Sequence, residues 1–136
     1  MAEERRGSAP EREANLTERE FSDAALRAFF KIADKWELST EEQLALLGAP
    51  ARSTFFKWKK DGGNIPQDTL ERISYVLGIY RALEILVPDP RAADAWVRRP
   101  NDAGVFNGQS ALERMLAGRV SDLFVVRSYL DAQRGD

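Results

Sequence analysis

The sequence contains neither histidine nor cysteine among its 136 residues. Without histidine there is no imidazole to act as a general base near neutral pH, and without cysteine there is no thiolate nucleophile. Zinc fingers and disulfide frameworks are excluded because both are built from these side chains. The acidic residues form no D-x-D or E-x-x-E cluster in an apolar setting, so we expect no metal and no cofactor. With no nucleophile–base pair and no phosphate-cradling glycine loop, an enzyme is the least favoured class.

Long apolar runs are also missing. No stretch approaches the roughly 20 apolar residues that a membrane-spanning helix needs. The first 20 residues lack the apolar segment of a signal peptide. Together with the absence of cysteine, these features predict a cytoplasmic protein without a membrane partner. Hydrophobic residues make up 43% of the chain, enough for one core or two small helical cores.

Charge is nearly balanced, with 20 Lys and Arg against 22 Asp and Glu and a net charge of −2. A protein devoted to nucleic acid is usually basic, so the overall balance argues against that role. The distribution is uneven, however. Residues 1–20 hold six acidic and four basic side chains and almost no large apolar residue. We interpret them as a disordered charged tail, or else as an arm that folds onto DNA or a partner, and expect order to begin near Phe21.

Beyond the tail, apolar residues recur at spacings of three and four, which predicts an all-α fold. Ser22 or Asp23 is expected to cap the first helix. Thr40 and Gln43 are interpreted as the capping box of a second helix, which ends after about two turns at a Gly-Ala-Pro sequence. A third short helix is predicted over about Arg52–Lys60.

The following segment contains proline and glycine at helix-boundary positions. Pro66 is expected to open a fourth helix, Gly78 to end it, and a separate apolar helix to run over Ile79–Val87. A short helix is predicted over Arg91–Arg98. Its buried side is expected to carry Ala92, Ala95 and Trp96.

Two more helices complete the prediction, one capped by Ser110 and one over Val120–Ala132. We therefore divide the chain into a tail (1–20), a helix-turn-helix domain (21–80) and a C-terminal domain (81–136).

The second and third helices, joined by a tight glycine-containing turn, are typical of a helix-turn-helix. The third helix carries four cations within nine residues and two hydroxyl groups near its start. Such groups contact phosphates and base edges when the helix lies in a DNA groove, although a solvated surface helix has a similar composition. Phe55 and Trp58 are expected to face the core. The predicted DNA-binding residues are Arg52, Ser53, Thr54, Phe56, Lys57, Lys59 and Lys60.

Two features of the sequence limit the expected affinity of one chain for DNA. The turn Gly48–Ala51 is slightly longer than the tightest form of the motif, which predicts weakened affinity. One four-cation helix is too little for tight binding, so we expect a homodimer that reads two half-sites. The apolar segment Ile73–Val87 is either the dimer interface or core.

The back half carries a series of short signatures in a fixed order. They are Leu77–Leu83, Ala95-Trp96 with Pro100-Asn101, Phe106–Leu112 and Val126–Asp131. This ordered set resembles the Xre/MbcA/ParS-type antitoxin family, whose C-terminal domain binds a toxin. The front half resembles the Xre-like helix-turn-helix of the same family, so the resemblance covers about residues 22–136.

The resemblance implies a partner and a role. Antitoxins of this kind pair with RES-domain toxins, which act on NAD by degrading it or by transferring its ADP-ribose to a protein. The antitoxin blocks the NAD pocket of the toxin within a hetero-oligomeric complex, and it commonly represses the shared operon.

A plug for an NAD pocket needs reach and negative charge, because that pocket binds a pyrophosphate dianion. The end of the last helix offers both. Asp131 or Asp136 would mimic phosphate, and Tyr129 would stack or donate a hydrogen bond; alternatively, the charged end simply frays in solvent. The predicted toxin-binding residues are Tyr129, Asp131, Arg134, Gly135 and Asp136.

Other signature residues have simpler explanations. Asn101 and Gly108 are turn residues, Phe106 and Trp96 suit a small core, and Ser110 is a helix cap. The alternative function is a stand-alone helix-turn-helix transcriptional regulator whose C-terminal half dimerises. An adjacent RES-type gene favours the antitoxin, and an isolated gene favours the regulator.

Overall fold

The computed structural model describes residues 17–135, which form helices and no strand. The all-α prediction is confirmed. The helices are α1 (Glu18–Lys35), α2 (Thr40–Leu46), α3 (Arg52–Asp61), α4 (Gln67–Leu86), α5 (Pro90–Trp96), α6 (Ala111–Met115) and α7 (Val120–Gln133). None of these helices is long and apolar enough to cross a membrane.

Helix α1 begins one turn earlier than expected. Thr17 is its N-cap and forms a capping box with Glu20, so neither Ser22 nor Asp23 caps it. Asp23 instead accepts a hydrogen bond from the Gly63 N–H at 2.8 Å, which lowers the pKa of its carboxyl. It thereby ties α1 to the loop after α3. Residues 17–20 were assigned to the disordered tail, and that assignment is wrong because they form the cap and first turn of α1. Residues 1–16 lie outside the described part, and the predicted tail stays a prediction there.

Helix α2 uses a capping box one residue earlier than predicted. Ser39 is the N-cap and pairs reciprocally with Glu42, whereas Thr40 is the first helical residue. Gln43 is buried, and its side-chain amide donates to the Leu38 carbonyl at 3.1 Å. Gln43 therefore reaches back as a donor to the residue before the cap, and its side-chain oxygen does not accept the backbone N–H bond that a Thr40 capping box needs.

The predicted break at Gly78 is wrong, because α4 continues through it to Leu86. Gly78 serves a different purpose: a Cβ atom at this position would overlap the guanidinium group of Arg127 on α7. The glycine therefore permits close approach of α7 to α4 and does not end a helix. Pro66 precedes α4 as its N-cap residue.

The C-terminal helices follow the prediction with one change of face. On α5 and just after it the buried residues are Ala93 and Val97, while Ala95 is exposed and Trp96 is half-buried. The helix starts one residue earlier than expected, at Pro90 with Asp89 as its cap. The buried pair Ala93 and Val97 lies four residues apart, one position beyond the predicted Ala92 and Trp96. Ser110 caps α6 as predicted.

Helix α4 is the central element of the molecule. Helices α1 and α7 both pack along it, α5 packs near its end, α3 packs on α1, and α6 packs on α7. Five apolar residues of the 73–87 segment are buried, namely Ile73, Val76, Ile79, Ala82 and Leu83, whereas Ile85 is 52% exposed. That segment is therefore mostly core.

Candidate functional site

Helix α3 presents an apolar face to the core and a basic face to solvent. Phe55 is fully buried and Trp58 is 7% exposed, as their spacing predicts. Phe56 is 46% exposed and points outward with its neighbour Lys57. Of the seven predicted DNA-binding residues, all are exposed except Thr54, which is half-buried. The structure thus brings six of them together on one accessible helix.

The four cations of α3 are not equally available. Arg52 forms an ion pair with Glu41 of α2, and its guanidinium also lies 6.0 Å from the centre of the Phe56 ring. The Lys59 ammonium lies 5.9 Å from the ring centre of Phe30 on α1. Within residues 17–135, Lys57 and Lys60 make no ion pair. These two lysines are the cations best placed to neutralise a phosphate.

Arg98, which follows α5, connects the C-terminal half to the helix-turn-helix. Its guanidinium donates to the carbonyls of Trp36 at 3.2 Å and Glu37 at 2.8 Å, at the end of α1. It also pairs with Glu42 of the α2 capping box at 2.9 Å. The hydrogen bond from Arg98 is the main reason that the pKa of Glu42 is lowered. Spacing arguments did not single out Arg98, since its partners lie far away in sequence.

A second arginine, Arg72 of α4, connects the turn of the helix-turn-helix to the start of α7. The side chain of Arg72 on α4 is only 11% exposed and pairs with Asp68 at 2.8 Å. It packs against Gly48 in the helix-turn-helix turn and donates to the Gly118 carbonyl at 2.9 Å, just before α7. The turn and the start of α7 are thereby held by one side chain.

Asp122 is a buried charge inside the C-terminal half. Asp122 is 1% exposed, and its carboxylate accepts hydrogen bonds from the side chains of Arg114 at 2.9 Å and Arg119 at 3.4 Å. Burial by itself would raise the pKa of this carboxyl, but the hydrogen bonds from the two arginines outweigh it and lower the pKa. The cluster fixes α6 against the start of α7.

An aromatic cleft of about 210 Å³ lies at the far end of α7. Tyr129 is half-buried there, with its ring edge-on to Phe106 at 5.0 Å between centres, and Phe106 is in turn 6.0 Å from Trp96. The cleft is lined by Leu83, Leu86, Val87, Trp96, Tyr129, Leu130 and Gln133. Tyr129 thus belongs to a partly open cleft, and its apolar partners on α4 were not predicted.

The other predicted toxin-binding residues surround the end of α7. Asp131 lies 3.4 Å from Arg127 and 3.9 Å from Arg134, so its charge is shared between two guanidinium groups. Arg134 is the helix C-cap, and the Gly135 N–H donates to the Ala132 carbonyl at 3.1 Å. The described end of the chain is therefore an ordered turn. Asp136 lies outside the described residues.

Residues 101–110, the loop before α6, have the turn, core and cap roles that the sequence predicts. The Asn101 side chain accepts from the Ala103 N–H at 2.8 Å, and the Gly108 N–H donates to the Asn101 carbonyl at 3.0 Å. Phe106 is buried, and Ser110 shares a capping box with Glu113. These residues shape the domain beneath the aromatic cleft.

The fold and these surfaces define a class of protein: a helix-turn-helix with an exposed basic helix, joined rigidly to a small helical binding domain. Residues 22–78 match the family described as the antitoxin Xre-like helix-turn-helix domain. Residues 82–135 match the antitoxin Xre/MbcA/ParS C-terminal toxin-binding domain. The chain is also 54% identical over 135 residues to the uncharacterized protein y4oB of Sinorhizobium fredii (strain NBRC 101917 / NGR234), with 99% of each chain covered.

The chain belongs to the Xre/MbcA/ParS antitoxin family. It is an antitoxin of a toxin–antitoxin system, and its C-terminal domain implies a toxin as partner. Antitoxins and helix-turn-helix proteins of these families are generally binding proteins without enzymatic activity.

Proposed function

We propose that this antitoxin neutralises a RES-domain toxin in the cytoplasm by occluding its NAD pocket with the end of α7. The observation that carries the proposal is the aromatic cleft beside that end, inside the matched toxin-binding domain. A partly open apolar cleft next to a charged chain end suits a partner with an apolar contact surface beside a cationic pocket.

The cleft and the chain end have separate tasks in this proposal. Trp96 and Tyr129 supply large, half-buried rings that accept an apolar side chain of the toxin and provide most of the binding free energy. Asp131 is already held by two arginines, so it orients the last turn of α7. The negative charge that enters the NAD pocket then comes from Asp136.

This division of tasks predicts that binding and inhibition can be separated. Removal of the residues after Gln133, which itself lines the cleft, is expected to leave a folded protein that still binds the toxin through the cleft but no longer blocks NAD consumption. A second variant, in which residues 134–136 are replaced by a Gly-Ser segment of equal length, controls for chain length. Trp96→Ala is expected to weaken binding itself, whereas Tyr129→Phe, which keeps the ring, serves as its matched control.

The measurements are NAD turnover by the purified toxin and affinity by calorimetry. If the truncated chain inhibits as fully as the wild type, occlusion by the end of α7 is wrong. If the partner that co-purifies with the chain has no RES domain, the proposed toxin identity is wrong, and if no toxin co-purifies, a stand-alone regulator is favoured.

We further propose that the antitoxin binds its own operator as a homodimer, through α3. Support comes from the exposed basic face, and especially from Lys57 and Lys60. Lys57→Glu together with Lys60→Glu is expected to weaken promoter binding and to lower the salt dependence of the affinity by about one unit of slope for each lost phosphate contact. Arg99→Ala, which removes an exposed cation in the C-terminal half, is the control. Unchanged retardation of promoter DNA at low salt would exclude α3 as the contact.

A further inference from the structure

A crevice of about 230 Å³ lies between α1 and the C-terminal part of α3. Cations from both helices line it, Arg27 from α1 and the pair Lys59 and Lys60 from α3. All three residues are exposed. Lys60 also belongs to the basic face that α3 presents to solvent, so the crevice joins that face to α1.

The charge of the crevice is positive overall. Two acidic residues, Asp23 and Asp61, line it beside the three cations. The Asp23 carboxylate is already occupied, because it accepts hydrogen bonds from the Gly63 N–H at 2.8 Å and from Arg19 at 3.1 Å. Arg19 thereby balances the charge of Asp23. Asp61 is then the remaining acid of the lining residues against three cations.

The basic surface continues along α1 beyond the crevice. Arg27, Lys31 and Lys35 are spaced four residues apart, so they follow one another along one side of the helix. All three are exposed, and within residues 17–135 none of them makes an ion pair. Asp34 is the single acidic residue between Arg27 and Lys35. This side of α1 therefore offers unpaired cations next to α3.

Helix α2 does not supply a comparable charge. In a helix-turn-helix, the helix before the recognition helix crosses the DNA backbone. Here α2 (Thr40–Leu46) contains no lysine or arginine, and its first turn carries Glu41 and Glu42. The side chain of Glu41 is 74% exposed, which disfavours a phosphate nearby. Contacts to the backbone then have to come from another element, and α1 is packed directly on α3.

We propose that Arg27 and Lys31 of α1 bind phosphates of the DNA backbone, beside the groove that receives α3. The proposal rests on the proposed operator binding by α3, for which it names a second helix that holds the DNA. Lys57 and Lys60 neutralise about two phosphates for each protomer, so two contacts from α1 double the number of counterions released. Because phosphates carry no base identity, these contacts strengthen binding to any sequence alike.

The test is binding of the full chain to a duplex of its own promoter and to an unrelated duplex of equal length, measured by fluorescence anisotropy over a range of salt concentrations. Arg27→Ala together with Lys31→Ala is expected to lower the salt slope by about 0.9 for each lost phosphate contact, or nearly two units for each bound protomer. At 0.15 M salt this change corresponds to binding about 30-fold weaker for each protomer, on both duplexes alike. Arg27→Lys together with Lys31→Arg keeps both charges and is expected to keep the slope.

Arg81→Ala together with Arg99→Ala is the matched control. It removes two exposed cations outside α1 and α3, neither of which makes an ion pair within residues 17–135, so it changes the net charge by the same amount. Circular dichroism checks that each variant is folded.

The outcomes separate the α1 contacts from the proposed DNA binding by α3. A slope that falls in the Arg27→Ala, Lys31→Ala variant, but not in the charge-conserving variant or the control, supports the proposal. A slope equal to that of the control overturns the α1 contacts and leaves α3 standing if Lys57→Glu with Lys60→Glu still weakens binding. A wild-type chain that binds neither duplex at low salt overturns both. If the α1 variant loses affinity for the toxin and not for DNA, the proposal is wrong and this surface faces the toxin.

Discussion

The connection between the two halves can be tested at Arg98. Arg98→Ala removes the ion pair with Glu42 and the hydrogen bonds to the carbonyls of Trp36 and Glu37. The side chains of Arg98 and Glu42 are 42% and 21% exposed, so solvent screens their attraction. We therefore assign the pair at most about 1 kcal/mol. The two carbonyl hydrogen bonds add about 1 kcal/mol, because water replaces the lost donor in part.

The expected loss is then about 2 kcal/mol in the free energy of unfolding, which corresponds to a fall of about 6–8 °C in Tm for a chain of this size. Thermal and urea unfolding followed by circular dichroism measure both quantities. Arg99→Ala is the matched control, because Arg99 is the adjacent exposed arginine. Arg98→Lys keeps the positive charge but loses the planar guanidinium group with its several donors. Its free energy of unfolding is expected to lie between those of the wild type and Arg98→Ala.

The pH dependence gives an independent check. The pKa of Glu42 is lowered in the folded state, chiefly by the hydrogen bond from Arg98. A carboxyl with a lowered pKa contributes stability above its ordinary pKa and loses it as the pH falls through the folded value. The difference between wild type and Arg98→Ala is therefore expected to shrink below about pH 4.5. If Arg98→Ala unfolds with the same free energy as Arg99→Ala, the reasoning is refuted.

Two further predictions concern the packing of α7. Asp122→Asn is expected to lower the free energy of unfolding by about 2–3 kcal/mol, since it leaves Arg114 without its buried partner. Because the pKa of Asp122 is lowered in the folded state, this loss is expected at neutral pH and to diminish as the pH falls through the acid range; a pH-independent difference would contradict it. Gly78→Ala, a change that stabilises most helices by about 1 kcal/mol, is expected to bring no gain here because it displaces Arg127. A double-mutant cycle with Arg127→Ala measures this coupling, and additive effects would show that the two residues do not meet.

Local sequence signals predicted the faces of α3 better than the ends of the helices. Phe55 and Trp58 lie three residues apart, which by itself places both on one side of a helix. At the start of α2 the sequence offers two overlapping capping boxes, Ser39 with Glu42 and Thr40 with Gln43. The choice depends on the burial of Gln43, which is a property of the tertiary structure. The Thr17 capping box was visible in the sequence but was obscured by the charged composition around it.

Long-range contacts were beyond prediction for a different reason. A glycine within an apolar sequence indicates either the end of a helix or a site where another helix packs closely against it. Only the position of Arg127 shows that Gly78 permits the close packing of α7. The same holds for Arg98 and Arg72, whose partners lie in the other half of the chain. The aromatic cleft was not predicted: Tyr129 was singled out as a toxin contact, but the residues at the end of α4 that line the cleft with it were not.

The two family matches meet inside a single helix, and this has a consequence for how the antitoxin works. The helix-turn-helix match ends at residue 78 and the toxin-binding match begins at residue 82, both within α4 (Gln67–Leu86). A continuous helix, with Arg98 and Arg72 bridging on either side, leaves no linker between the halves. Toxin bound at the end of α7 would then hold a fixed position relative to α3. Within residues 17–135 the structure offers no hinge between the two halves. We therefore expect that toxin binding does not reorient α3 within a protomer. It is expected to change the affinity for the operator by setting how many helix-turn-helix units the complex holds and where they lie.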